Sequence, residues 1–316
     1  MLVLTSAPAD LERAAAILRE GGLVAFPTET VYGLGARADD ASAVAKIFAA
    51  KGRPADHPLI VHLPSADLLD AWAHEVPEVA RRLADRFWPG PMTLILPRAD
   101  GVLDAVTGGQ DTVGLRVPGN PVARALLEAA GLGIAAPSAN RFGRISPTTA
   151  EHVVSELGDR IDAVVDGGPC DVGLESTIVD LSGAAPRLLR PGGISADELT
   201  EVLGRAPASP DAEAPRVPGA LASHYAPTTR LWLVDDVAQA MSEARAHGEV
   251  VVLGLSAPLD DARWVAMPTE PAAYAQVLYA RLREADASTA ATIIVERPPL
   301  SWAAVLDRLQ RAASNV

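Results

Sequence analysis

Two cations in the segment KGRPADHPL have the spacing of an anion-binding site. Lys51 is one of only two lysines in the chain, and Arg53 follows it by two residues. Side chains at alternate positions of a proline-containing loop can converge on one anionic group, so the pair predicts an anion site. The alternative is a solvated loop with two exposed cations, because charged loop residues usually face water.

A second polar group follows a predicted strand in the segment GIAAPSANRFGRISPT. The apolar run breaks at Pro137 and is followed by Ser138, Asn140, Arg144 and Ser146. Ligands of open α/β sheets bind beyond strand ends, where hydroxyl, amide and backbone N–H groups hold phosphate or ribose. The alternative is a turn in which these residue types serve conformation alone.

The familiar nucleotide and hydrolase motifs are absent or misplaced. Gly33, Gly35 and Ala38 match G-x-G-x-x-A, but Pro27 and TETVY precede the glycines and the next helix is predicted to begin only near Asp40. That context excludes a Rossmann turn. The chain also lacks GxxxxGK[ST] and G-x-S-x-G. Scattered cations and hydroxyls must therefore hold any bound nucleotide.

The histidines and the cysteine do not predict a resident metal. None of the histidines is paired at a helical spacing such as HExxH, and the single cysteine excludes a Cys-based zinc site and a disulfide framework. His62, in the predicted strand PLIVHL, is by default a hydrogen-bonded sheet histidine. The histidines are His57, His62, His74, His152, His224 and His247.

Hydrophobic periodicity predicts the elements that carry these residues. In the first part, helices are expected at 9–20, 41–50, 77–87 and 121–130, and strands at 23–26, 58–63, 92–97, 112–118 and 133–140, with two more in AVVDGG and STIVDL. In the last part, LWLVD, VVVLGL, RWVAM and TIIVERP alternate with helices at 237–247, 271–286 and 302–313. The predicted fold is α/β: a mixed, twisted open sheet, then a linker and a small doubly wound, Rossmann-like domain.

Residues 205–227 form the predicted linker. The segment RAPASPDAEAPRVPGALASHYAP holds five prolines and shows neither helical nor strand periodicity. Such a segment is stiff and extended, and long irregular segments often serve as lids or binding loops. We therefore divide the chain into a first domain at 1–204, a linker and lid at 205–227, and a C-terminal domain at 228–316.

Composition narrows the functional classes. The 316 residues carry 40 acidic and 27 basic side chains, a net charge of -13, and aromatic residues make up 4%. This balance excludes a protein that binds nucleic acid over its whole surface, and direct tight nucleic-acid binding is not expected. The sequence contains neither an apolar run long enough for a membrane helix nor a secretory signal, so we expect a cytoplasmic protein without membrane contact.

The motifs, taken in order, resemble one known family. FPTETVYGLG, KGRPADHPLIVHL, WPGPMTLIL, DTVGLRVP, APSANRFGRISPT, DGG, ESTIVD and LLRPGGI are similar to the motifs of threonylcarbamoyl-AMP synthases, which have the YrdC-like fold. PGALASHYAP followed by a small α/β domain resembles the longer, two-domain form of that family. The resemblance therefore covers nearly the whole chain.

The resemblance implies a nucleotidyltransferase that acts on small molecules. Its substrates would be L-threonine, bicarbonate and ATP, with Mg²⁺ carried on the ATP phosphates. Its products would be threonylcarbamoyl-AMP and pyrophosphate. Downstream transferase proteins would then use the adenylate in tRNA processing, to form threonylcarbamoyladenosine next to the anticodon.

The resemblance also implies roles for individual residues. Arg116 would clamp the threonine carboxylate, and His57 stands where the family commonly has asparagine. The catalytic residues would be Lys51, Arg53, Ser138 and Asn140. The ATP-binding residues would be Lys51, Arg53, His57, Thr112, Ser138, Asn140, Ser146, Arg190, His224 and Tyr225. The threonine-binding residues would be Thr28, Thr30, His62, Arg116 and Ser176.

Two alternatives stay open at this point. The first is an RNA-binding or ribosome-associated factor that uses the concave face of the sheet, although the acidic net charge and the few aromatics disfavour it. The second is a YrdC-like domain that adenylates carbamoyl phosphate, as in hydrogenase maturation proteins. Such domains accompany zinc-finger and acylphosphatase-like modules, for which this chain has neither the cysteines nor the length.

Overall fold

A computed structural model describes residues 1–219, 224–259 and 263–313. The chain divides into two compact units. The first contains Met1–Phe142, Pro147–Asp171 and Glu175–Ala220, and the second contains Gly143–Ser146, Val172–Leu174 and Leu221–Val316. Residues 220–223 of the predicted lid lie outside the described residues.

The first unit is built on a large mixed sheet, as predicted. Its described strands follow the order β1-β8-β2-β3-β7-β4-β6-β5-β9-β10 across the sheet. The pairs β4–β6 and β5–β9 are parallel, whereas β7–β4 and β5–β6 are antiparallel. The strands are β1 (Leu2–Leu4), β2 (Val24–Phe26), β3 (Gly33–Arg37), β4 (Ile60–His62), β5 (Met92–Pro97), β6 (Thr112–Arg116), β7 (Ile134–Ala135), β8 (Ala163–Val165), β9 (Thr177–Asp180) and β10 (Arg187–Arg190).

Helices pack on this sheet in two groups. The larger core cluster takes side chains from α2, α4 and α8, and a second cluster takes them from α1 and α6. The helices of this unit are α1 (Pro8–Arg19), α2 (Ala41–Lys51), α3 (Leu69–Trp72), α4 (Glu78–Phe87), α5 (Asp104–Thr107), α6 (Pro121–Ala130), α7 (Ala150–Leu157) and α8 (Ala196–Leu203).

Local signals explain where helix α2 begins and ends. The side chain of Asp40 accepts hydrogen bonds from the backbone N–H groups of Ser42 and Ala43, which satisfies donors that the first turn leaves open. Gly52 follows the helix in the left-handed conformation, with φ of 63°. These two signals place Lys51 at the last position of the helix.

The sequence prediction missed seven described strands and α-helices of the first unit, and it made one strand too long. Strand β3 contains the glycines of the rejected G-x-G-x-x-A match, so the structure confirms that they do not form a strand-to-helix turn. The expected strand at 133–140 covers only Ile134–Ala135, because Pro137 ends it early. The other missed elements are β1, α3, α5, α7, β10 and α8.

Part of the linker packs on the first unit. Val217 is buried in a cluster with Ile60, Ile95, Ile178 and Leu189 from four strands. The backbone N–H of Leu188 donates to the carbonyl of Ala208 at 2.9 Å, so the linker also extends the edge of the sheet. Ala208 and Val217 thus attach this part of the linker to the first unit.

The second unit contains a parallel sheet of order β11-β14-β12-β13. The alternation of strands and helices agrees with the predicted small doubly wound domain. None of the described helices combines the length and hydropathy of a membrane span. The elements are β11 (Arg230–Val234), α9 (Val237–Ala244), β12 (Val250–Gly254), β13 (Arg263–Ala266), α10 (Pro271–Asp286), β14 (Thr292–Glu296) and α11 (Ala303–Ala313).

Candidate functional site

Lys51 is a buried cation at the end of helix α2. Its exposed fraction is 2%, and its Nζ donates hydrogen bonds to the carbonyls of Ser138 and Asn140. Burial, and then the positive charge of Arg53, lower the pKa of Lys51 well below its usual range. The alternative of a solvated loop cation is therefore wrong, and the helix and the Ser138–Asn140 loop meet at one amine.

Arg53 and His57 lie beside the same aromatic ring. Arg53 is also buried, and its Nη2 donates to the carbonyl of Pro58 at 3.0 Å. Its guanidinium carbon lies 5.9 Å from the ring centroid of Phe142, and the imidazole of His57 meets that ring edge-on at 5.3 Å. Burial, followed by the charge of Arg53, lowers the pKa of His57, so the neutral imidazole is favoured there.

Backbone hydrogen bonds to the segment around strand β3 hold the loop that carries Ser138 and Asn140. The N–H of Leu34 donates to the carbonyl of Pro137, and the N–H of Ala139 donates to that of Tyr32, both at 2.8 Å. The loop is a turn, as its composition also allowed, and its carbonyls face a buried cation. Its conformation therefore positions Lys51 directly.

Thr28 and Thr30 follow strand β2 and contact each other. Their Oγ1 atoms are 2.8 Å apart, and the hydroxyl of Thr28 donates to the carbonyl of Val31 at 2.6 Å. Both residues are buried. The turn after β2 thus holds two buried hydroxyls next to each other.

Arg116 pairs with a carboxylate that the sequence analysis did not single out. Its Nη2 donates to Oε1 of Glu29 at 2.7 Å, and its Nε donates to the carbonyl of Gly90 at 3.3 Å. The other oxygen of Glu29 accepts from the backbone N–H of Asn120 at 3.3 Å. Burial opposes ionisation of Glu29, but the charge and hydrogen bond of Arg116 outweigh it and lower the pKa of the carboxyl.

His62 lies next to Arg116 across two strands. The two residues are register partners in the parallel pair β4–β6. Burial, followed by the charge of Arg116, lowers the pKa of His62 to about 3, so its imidazole is neutral near pH 7. Its Nδ1 lies 3.3 Å from the carbonyl of Ile60, which favours the tautomer with the proton on Nδ1. The Nε2 lone pair then remains for a hydrogen-bond donor.

Ser176 forms a polar cluster with Arg190 and Thr93. Nη2 of Arg190 donates to Oγ of Ser176 at 3.0 Å, and its Nε donates to the Ser176 carbonyl at the same distance. Oγ1 of Thr93, on strand β5, lies 2.7 Å from the Ser176 hydroxyl. Nη1 of Arg190 donates to the carbonyl of Pro218, so one arginine contacts both Ser176 and the linker.

Four predicted ATP-binding residues lie apart from these clusters. Thr112 is half-buried at the start of β6, on the strand that ends with Arg116. The remaining three belong to the second unit, where each is buried: Ser146, His224 and Tyr225.

Aromatic contacts hold Tyr225 inside the second unit. Its ring stacks on Tyr279 at 5.8 Å and meets the ring of His224 at 4.2 Å. The guanidinium carbon of Arg308 lies 5.3 Å from its centroid. The structure therefore brings twelve of the predicted residues into the first unit and keeps three in the second.

The missed residues had weak sequence signals. Glu29 stands between two predicted ligands, and Thr93 lies in the motif WPGPMTLIL. The described residues contain no group of three or more metal-ligating side chains. A cavity of about 370 Å³ in the second unit is lined by Met241, Arg245, Glu249 and Arg263 among others, and none of the predicted site residues lines it.

Two family models match the chain. The model described as "Telomere recombination" matches residues 16–192, and the model described as "Threonylcarbamoyl-AMP synthase, C-terminal domain" matches residues 194–314. Together they cover most of both units.

Curated relatives share the same description. The threonylcarbamoyl-AMP synthase of Pyrococcus abyssi is 48% identical over 227 residues, which are 70% of this chain and 67% of that protein. The Bacillus subtilis threonylcarbamoyl-AMP synthase is 49% identical over 70% of this chain and 66% of its own length. The matched region thus spans about two thirds of these relatives.

Solved structures extend the likeness to the whole chain. The crystal structure of P. abyssi Sua5 complexed with L-threonine has a TM-score of 0.93 and 38% identity, and the match covers 99% of this chain and 98% of that one. Escherichia coli YciO matches with a TM-score of 0.55 and 26% identity over 63% of this chain and 98% of its own.

Proposed function

We propose, from the premise that this chain belongs to the threonylcarbamoyl-AMP synthase family, that it makes threonylcarbamoyl-AMP. Its substrates are L-threonine, bicarbonate and ATP, and pyrophosphate is released. The observation that carries the proposal is the burial of Lys51 and Arg53 beside the Ser138–Asn140 loop, because buried cations match a polyphosphate ligand.

The proposed chemistry needs alignment more than covalent catalysis. Bicarbonate gives CO2 and hydroxide, and the nitrogen of the neutral threonine amine forms a bond to the carbon of CO2. The amine loses a proton, which combines with the hydroxide to form water, and a carbamate anion remains. A carbamate oxygen then attacks the α-phosphorus of ATP, and the bond to the bridging oxygen of pyrophosphate breaks. Because the reactants are anions, the protein must neutralise and orient them.

Three polar clusters divide this work. They are Lys51 and Arg53 with the Ser138–Asn140 loop, Arg116 with Glu29 and His62, and Arg190 with Ser176 and Thr93. Lys51 and Arg53 hold the triphosphate, and Ser138 and Asn140 complete the nucleotide site. Arg190 contacts both Ser176 and the linker carbonyl of Pro218, which supports its assignment to the phosphates near threonine.

The threonine site is built around Arg116. This arginine binds the threonine carboxylate, and its Nη1 has no hydrogen-bond acceptor within the described residues. The lone pair of neutral His62, together with the hydroxyls of Thr28, Thr30 and Ser176, supplies partners for the threonine hydroxyl and amine.

We further propose that Mg²⁺ arrives on the ATP phosphates. Mg²⁺ keeps several waters and binds through substrate phosphates in many enzymes, so a carboxylate cage is not required. The adenylate then passes to the transferase proteins that modify adenosine next to the tRNA anticodon. A cytoplasmic location fits that role.

A thermal-shift comparison separates this function from RNA binding. ATP with threonine should raise the melting temperature, because a ligand that binds only the native state stabilises it by mass action. Transfer RNA alone should leave it unchanged. Stabilisation by tRNA without any response to ATP and threonine would favour the RNA-binding alternative.

A further inference from the structure

The buried carboxylate of Glu29 has no role among the predicted ligands. Its side chain is 10% exposed and that of its partner Arg116 is 5% exposed, so the ion pair is almost removed from water. A buried charge is costly unless its surroundings compensate it. We propose that Glu29 is a positioning residue that orients Arg116 for the carboxylate of threonine, an inference that rests on the proposed function.

The hydrogen-bond donors around Glu29 show why this position requires a carboxylate. Oε1 of Glu29 faces the Nη2 donor of Arg116, and Oε2 faces the N–H donor of Asn120. A glutamine has one oxygen and one NH2 group in place of the two carboxylate oxygens. Its NH2 group, which only donates, would therefore lie against one of the two donors, and no hydrogen bond would form there. An ionised carboxylate satisfies both neighbours at once.

The same contacts determine which part of Arg116 is available. Its Nε donates to the carbonyl of Gly90 and its Nη2 donates to Glu29, which together fix the plane of the guanidinium. Gly119 lies beside Glu29, since a Cβ on it would be at ordinary contact distance, 3.5 Å, from Cδ of Glu29. Arg116 is thus held from one side, and Nη1 is left to bind a carboxylate.

Charge gives a second reason for the pair. Glu29 balances Arg116, and His62 beside them is neutral, so these three side chains together have no net charge. A competing model makes the opposite prediction: if Glu29 merely competed with the threonine carboxylate for Arg116, its removal would strengthen threonine binding. The direction of the effect therefore decides between orientation and competition.

The test compares Glu29→Gln, Glu29→Asp and a matched control, Asp180→Asn, in the full-length protein. Asp180 is also a buried carboxylate that accepts on both oxygens, from Arg187 and from Ser182, but it lies outside the three polar clusters. The measured quantities are the KM values for threonine and for ATP in threonine-dependent pyrophosphate release, and the threonine Kd from calorimetry.

Orientation by Glu29 predicts a selective effect on threonine. Glu29→Gln should raise the threonine KM and Kd about tenfold or more, as expected for loss of a hydrogen bond to a charged group. The KM for ATP should stay within about twofold of its value in the original protein. Glu29→Asp keeps the charge and both acceptor oxygens on a shorter side chain. Its threonine KM should lie between that of the original protein and that of Glu29→Gln. Asp180→Asn should change neither KM.

Three results would overturn the proposal. They are an unchanged or lowered threonine KM in Glu29→Gln, an equal rise of both KM values, and the same pattern in Asp180→Asn. If Glu29→Gln fails to fold, Glu29→Asp decides alone, since an unchanged threonine KM there contradicts positioning. Absence of threonine-dependent pyrophosphate release in the unsubstituted protein would instead reject the proposed function.

Discussion

Buried charges are the clearest residue-scale feature of the first unit. Lys51, Arg53, Glu29 and Arg116 are all withdrawn from water, although such side chains usually remain exposed. The pKa values of two of them, Lys51 and Glu29, are lowered, and shifted pKa values at clustered groups are typical of functional sites. The protonation of these groups can therefore be tested directly.

Binding of ATP should be coupled to protonation of Lys51. Because its pKa is lowered in the free protein, phosphate binding should raise that pKa and increase the fraction of Lys51 that is protonated, so that protons are taken up on binding. Calorimetry in buffers of different ionisation heat should detect this uptake. It should vanish in Lys51→Met and persist in Lys46→Ala, which changes the only other lysine. Uptake that persists in Lys51→Met would contradict the assignment.

The Glu29–Arg116 pair should make stability depend on acid pH. The pKa of Glu29 is lowered from 4.5 in the folded state, so its contribution is present above that value and is lost as pH falls through the folded pKa. Breaking a buried pair costs about 3 to 5 kcal/mol. Urea unfolding should therefore show a large gap between the original protein and Glu29→Gln at neutral pH, and a small gap in acid. A gap that does not change with pH would contradict the ion-pair account.

Sequence reasoning could name candidate ligands but not the residues that contact them. Lys51, Arg53 and Ser138 were found from residue type and spacing. Glu29 and Thr93 act through contacts with Arg116 and Ser176, which are distant in the chain. Only the fold brings such partners together, so residue type and spacing gave only a weak local signal for them.

At the scale of elements, strand β3 shows where periodicity fails. GLGAR lacks the β-branched and aromatic residues that mark strands, and its glycines resemble a turn. The helices with clear caps and apolar spacing, such as α2 and α6, were predicted within one residue. One of the two glycines of β3, Gly35, has a packing reason, since Phe26 and Ile134 lie close to it.

That packing predicts different effects of two substitutions in β3. A Cβ on Gly35 would lie 2.8 Å from Ile134 Cγ2 and from Phe26 Cε1, whereas on Gly33 its nearest neighbour is at 3.4 Å. Gly35→Ala should lower the free energy of unfolding by about 1 to 3 kcal/mol through overpacking. Gly33→Ala should change it by less than about 1 kcal/mol. Chemical denaturation measures both, and equal effects would show that close packing is not the reason for Gly35.

At the scale of the whole molecule, the linker belongs partly to the first unit. Val217 completes an apolar cluster, and Pro218 accepts a hydrogen bond from Arg190. The prolines predicted a stiff segment, but sequence alone could not show which surface it covers. Closure of the linker over bound ATP stays a prediction.

Truncation tests how much residues 205–219 contribute to the stability of the first unit. A protein ending at Gly219 keeps Val217, whereas one ending at Gly204 exposes the isoleucines beneath it. Loss of one buried valine contact alone is worth about 1.5 to 3 kcal/mol. The shorter protein should therefore fold with a clearly lower melting temperature. Equal melting temperatures would show that residues 205–219 add nothing to the stability of this unit.

The central claim is that the chain itself joins threonine, bicarbonate and ATP, and mass spectrometry tests it most directly. The purified protein is incubated with ATP, Mg²⁺, threonine and ¹³C-bicarbonate, and the reaction is quenched before the adenylate hydrolyses. The account predicts threonylcarbamoyl-AMP that carries the ¹³C label, lost when any substrate is omitted and strongly reduced in Lys51→Met. Conversion of ATP to AMP without a labelled threonine adduct, or an unchanged yield from Lys51→Met, would contradict it.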